Sequence, residues 1–110
     1  MSLIKSSKEY FKTFSNKDLS GLKEMFSKDI KLRDWDIEAR GLEDVLKANK
    51  SIFKNVEAIQ VNPLKIYNDG NTIVAELEID INYGRESLLV VDVIEFDNDN
   101  KILEIRAYKG

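Results

Sequence analysis

Residues 72–96 read TIVAELEIDINYGRESLLVVDVIEF, and their pattern decides the fold. Ile73, Ala75, Leu77, Ile79, Ile81 and Tyr83 alternate with Glu76, Glu78 and Asp80, the two-residue period of a strand with one inward face. Gly84-Arg85 starts a turn, and Leu88–Phe96 follows as a strand apolar on both faces, a pattern that predicts burial on both sides. Upstream, Asn68-Asp69-Gly70-Asn71 is a hairpin turn signal, which makes Ile59–Tyr67 the preceding strand. Its Pro63 predicts an edge position or a bulge, because proline cannot donate to a ladder. Asp97-Asn98-Asp99-Asn100 turns the chain once more, and Ile102–Tyr108 ends a meander.

The first half has a different period. Leu3, Ser7, Tyr10, Phe11 and Phe14 recur every three or four residues, one face of an amphipathic helix. Ser15–Asp18 breaks it, with Asn16 or Asp18 available to cap a second helix carrying Leu19, Leu22, Met25 and Phe26. A short strand, Ile30–Asp36, places Ile30, Leu32, Asp34 and Asp36 on one face and Lys31, Arg33 and Trp35 on the other. After Gly41 a third helix shows the stripe Leu42, Val45, Leu46, Asn49, Ile52, Phe53 and Val56. Helices followed by a meander predict an α+β domain, helices on one face of a sheet. With 110 residues, the chain 1–110 is expected to be one domain.

Composition removes whole classes of function. The sequence has no cysteine and no histidine, so thiolate nucleophiles, histidine triads and Cys/His metal sites are unavailable. No cofactor and no metal are expected, and proton chemistry falls to carboxylates, tyrosines or lysines. A net charge of −3 with interspersed signs predicts no nucleic-acid binding. The absence of a long apolar run predicts no membrane segment and no signal peptide, hence a cytoplasmic protein.

Three polar residues fall on faces that should be buried: Asp92 between Val90 and Ile94, Asp34 after Leu32, and Tyr10 in the first helical stripe. A carboxyl group in apolar surroundings holds its proton, because desolvation penalises the ion. Each residue also has a plain alternative. Tyr10 could be a core aromatic, Asp34 a cap or an ion-pair partner, and Asp92 one end of a structural hydrogen bond. Asn49, interrupting the third helix's apolar stripe, either faces a pocket or bonds to backbone.

The segment YFKTFSNKDLSG from Tyr10 to Gly21, continuing through Met25-Phe26 and Asp29 to Leu32-Arg33-Asp34, resembles the opening of the ketosteroid isomerases of the NTF2-like, or SnoaL-like, superfamily. Val90–Phe96, with Lys101 and Arg106-Ala107, is similar to that family's penultimate strand, turn and last strand. The resemblance implies a cone: three N-terminal helices packed in a strongly curved, mixed or antiparallel sheet. It implies that Asp34 is a general base and that Tyr10 and a protonated Asp92 form an oxyanion hole, the family being the known case of a carboxylic acid kept neutral by its apolar site. This chain departs from the family in having Trp35-Asp36 where proline usually follows the base, so Asp36 is an alternative pocket acid.

The pocket is expected to be lined by Phe14, Phe26, Leu32, Asp36, Asn49, Ile52, Phe53 and Val90, with Trp35 at the entrance. Its ligand would be a small apolar carbonyl compound. Three functions stay open: an isomerase moving a proton beside a carbonyl, a non-catalytic binder of apolar ligands, and a dimerisation domain. Leu89, Val91 and Val93, on the outer face of their strand, predict a homodimer through the outer sheet face.

Overall fold

The computed structural model describes residues 2–110. Helix α1 (Leu3–Ser15) and the short α2 (Leu19–Met25) lead into strand β1 (Phe26–Arg33), then β2 (Glu38–Arg40) and helix α3 (Leu42–Asn55). Strands β3 (Ile59–Asp69), β4 (Thr72–Ile81), β5 (Glu86–Phe96) and β6 (Ile102–Lys109) follow. They form a six-stranded sheet in the order β2-β1-β6-β5-β4-β3, antiparallel except for the parallel pair β1 and β6. This is the expected α+β domain with a mixed sheet.

The helices force the sheet to bend. α1 packs on β3 at one edge, whereas α3 packs on β1, four strand positions away. Flat strands would separate those two by about 19 Å. Yet α1 and α3 touch, with the Phe14 and Phe53 rings edge-on at 4.9 Å between centroids. The sheet curves around this helix pair, which packs on its concave face. Pro63 sits where its residue type allows: β3 is an edge strand, and its register with β4 shifts between Pro63 and Lys65.

Three local expectations change. The second helix was expected to include Phe26; it stops at Met25, and Phe26 begins β1 opposite Ile102 of β6. Phe26 stays buried either way, so burial periodicity could not separate helix from strand there. The strand expected over Ile30–Asp36 ends at Arg33, and a turn carries Asp34 and Asp36 into the unforeseen β2. Tyr83, expected inward, lies in the turn after β4 with φ 62° and is 79% exposed. Within the single chain Leu89, on the outer face of β5, is 59% exposed.

One lysine fastens the α1–α2 turn to the end of α3. Lys17, in the left-handed region with φ 55°, donates from Nζ to the carbonyls of Phe53 (3.0 Å), Val56 (2.6 Å) and Glu57 (3.1 Å). Phe53 O is one of the last-turn carbonyls that a helix leaves without intrahelical partners, and Val56 and Glu57 are the residues that follow α3. Ser15 adds a second tie, donating from Oγ to Phe11 O and accepting from Val61 N of β3. Replacing Lys17 by Met should lower the unfolding free energy by about 1–3 kcal/mol, as loss of charge-assisted hydrogen bonds predicts, measured by urea denaturation.

Candidate functional site

Between the concave face of the sheet and the helices lies a cavity of about 240 Å³. β4 and β5 supply Leu77, Ile79, Ile81, Leu88 and Val90, alternate residues that the strand period turns inward together. α1 contributes Tyr10, Phe11 and Phe14, α3 contributes Asn49 and Ile52, and β3 contributes Ile59 and Val61. Trp35, 48% exposed, and the exposed Asp36 are lining residues that also meet solvent, which places them at the mouth.

Asp92 is held where an acid is least comfortable. It is 8% exposed in the middle of β5, with Val90 and Ile94 inward on either side. Its cross-strand neighbours are Ala75 on β4 and Ala107 on β6, both too small to fill the space around a carboxyl group. Burial first, then the negative charge of Asp34, push its pKa up to about 7. The Tyr10 hydroxyl is pushed well above its ordinary value by burial and then by Asp92, so it remains a donor. Tyr10 and Asp92 interact through charge and shared burial, with no hydrogen bond between them among the described residues.

Asp34 is built differently. Its backbone N–H donates to Ile37 O, and its Oδ1 accepts from the N–H groups of Asp36 (2.7 Å) and Ile37 (2.6 Å). The side chain thus closes the turn that ends β1, a habit of aspartate at chain reversals. Half-buried, it lines the cavity and is the acid whose charge reaches Asp92.

The structure brings Tyr10, Asp34 and Asp92 to one cavity, together with Phe14, Leu32, Trp35, Asp36, Asn49, Ile52 and Val90. It does not bring Phe26 and Phe53, which sit in the core behind the lining; the Phe26 ring lies 6.1 Å from that of Tyr10. Sequence reasoning missed Phe11, Ile37, Ile59, Val61, Ile105 and Ala107. The alternation of Leu77, Ile79 and Ile81 had marked them as inward, but an inward side chain reads the same whether it meets protein or a void. Arg106 faces away, paired with Glu95 and, at 3.2 Å, with Glu104. The ionisable lining residues are therefore Tyr10 and three aspartates, with no lysine or arginine among them. No group of three or more carboxylates among the described residues is placed to hold a metal ion.

The SnoaL-like domain model matches residues 7–105. The chain belongs to the SnoaL-like family. Solved structures of this NTF2-like fold superpose over nearly its whole length. A protein from Shewanella denitrificans OS-217 named as a SnoaL-like polyketide cyclase matches with a TM-score of 0.87 at 15% identity, over 98% of this chain and 90% of that one. One from Agrobacterium tumefaciens str. C58 named as an isomerase of the SnoaL-like family gives 0.84 at 8% identity, over 97% and 96%. An LEH-like epoxide hydrolase from M. tuberculosis gives 0.84 at 18% identity, over 98% and 82%. Among curated proteins no sequence match is found. At these identities the likeness is one of fold, and the names of these neighbours span different chemistries on it.

The SnoaL-like cavity makes stability depend on pH in a fixed direction. The unfolded chain releases the Asp92 proton near 3.8, whereas the folded one keeps it to about 7. Below about pH 4 both states are protonated and the full benefit of a neutral Asp92 is present; it is lost as pH rises through 7. Urea denaturation between pH 4 and 8 should show a decline of up to about 1.4 kcal/mol per pH unit attributable to this residue. Asp92→Asn should flatten it and be more stable than the wild type at pH 8.

Proposed function

We propose that this SnoaL-like protein is a cofactor-free isomerase of small, uncharged, apolar carbonyl compounds. The observation that carries this reading is Asp92: a carboxyl with its pKa pushed up to about 7, in an apolar cavity shared with Tyr10 and Asp34. Two acids in one pocket with different surroundings suit a base and a donor. Asp34 takes a proton from a carbon beside the carbonyl, and the electron pair moves onto the carbonyl oxygen. The Tyr10 hydroxyl and protonated Asp92 donate to that enolate oxygen. Asp34 returns the proton to the far carbon of the conjugated system, so a double bond shifts and nothing is gained or lost.

The lining limits the substrate. With aspartates and no cation, the cavity repels carboxylates and phosphates. Its volume corresponds to about eight water molecules at ~30 Å³ each, which fits a monocyclic compound. A suitable substrate is 3-cyclohexen-1-one, whose conversion to 2-cyclohexen-1-one is followed by ultraviolet absorbance. Asp34→Asn should lose about 10²–10⁴-fold in rate while still binding phenol, a mimic of the enolate. Tyr10→Phe should lose about 10²–10³-fold, and Asp92→Asn should keep much of the activity because its amide still donates. Equal losses in Asp34→Asn and Asp92→Asn would overturn these roles. Phenol binding without turnover would make the cavity a non-catalytic binding site.

We further infer a homodimer through the outer sheet face. There Leu89 is exposed and Val91 and Val93 half-buried beside Tyr108, itself exposed and directly opposite Val91. Among the described residues no helix makes more than a slight contact with β5, and a second copy of the same strip would cover its outer face. Light scattering at micromolar concentration should give twice the mass of the 12.7 kDa chain; Leu89→Glu with Val91→Glu should return the monomer.

A further inference from the structure

Proton transfer by Asp34, Tyr10 and Asp92 leaves one polar residue of the cavity unused. Asn49 lies on α3 in the buried row Val45, Asn49, Phe53, is 3% exposed, and lines the same cavity. Its Nδ2 is buried and has no hydrogen-bond partner in the protein. A buried amide donor left unpaired destabilises the fold, whereas leucine, of similar size and a better helix former, would complete the apolar row at no such cost. Folding therefore supplies no reason for an amide at this position. A bound molecule with an oxygen near α3 does.

We propose that Asn49 is a specificity-determining residue whose Nδ2 donates to a second oxygen of the ligand, so that the cavity prefers cyclic ketones bearing a ring hydroxyl. This rests on the carbonyl-isomerase reading above and adds a second anchor to it. The carbonyl oxygen meets Tyr10 and Asp92, which reach the cavity from α1 and β5, while the hydroxyl meets α3. A ligand with a methyl group in place of that hydroxyl leaves the buried amide donor unpaired as before, whereas the hydroxyl pairs it, and that gained hydrogen bond discriminates between the two.

The test uses 3- and 4-hydroxycyclohexanone against 3- and 4-methylcyclohexanone, with dissociation constants from calorimetry on the intact protein. In the wild type at least one hydroxyketone should bind about tenfold more tightly than its methyl counterpart. In Asn49→Leu that preference should vanish or reverse, and Tm without ligand should rise. A structural amide predicts the opposite stability change, so a fall in Tm, or failure of Asn49→Leu to fold, overturns the proposal. So does a wild type that binds methyl and hydroxyl compounds equally, a result that needs no variant and leaves the carbonyl reading standing. If none of the four ketones binds, the carbonyl reading fails and this inference fails with it.

Discussion

Helices α1 and α3 touch each other while gripping opposite ends of the same sheet, and the rest of the architecture answers to that constraint. Phe14 against Phe53 sets the helix contact. α1 on β3 and α3 on β1 set the two ends. The sheet curls around the helix pair, and between its concave face and the helices a hollow remains. That hollow is lined by Asp92 and by Ala107, its small neighbour on β6. Packing thus produces the cavity and places a carboxyl group inside it in one step.

Two aspartates of that hollow then acquire different characters from their surroundings. Asp34 lies at the end of β1, where its carboxylate accepts two backbone N–H groups of its own turn. Asp92 has alanines across the strands and hydrocarbon along its own, and it feels the charge of Asp34. Desolvation and like charge act in the same direction on it, toward the protonated form. The ionisable residues of the pocket are Tyr10 and three aspartates, and burial and the charge of Asp34 together push the pKa of the Asp92 carboxyl up to about 7.

Much of the site was legible because strand periodicity is simple. Val90, Asp92 and Ile94 alternate whatever the sheet does, so an inward acid on β5 followed from residue order alone. Tyr10 and Asn49 followed from helical stripes in the same way. Asp34 was placed on a strand that in fact ends one residue earlier; it reaches the cavity through a turn that its own side chain closes, and no period describes such a turn. Phe26 and Phe53 were marked as lining because they are apolar and inward, yet both pack behind the wall.

By itself the sequence determined the order of every element except β2, the inward face of nearly every strand and helix, and the absence of thiol and imidazole chemistry. These follow from local periodicity and composition, which need no knowledge of distant contacts. Tertiary structure alone decided that Phe26 pairs with Ile102 instead of extending α2, and that Arg106 turns its charge to Glu95 and Glu104 outside the cavity. It also decided which inward residues meet protein and which meet empty space. Local pattern encodes only that a side chain leaves water; what it meets instead depends on how the sheet bends around α1 and α3, a sum of contacts between residues far apart in the chain.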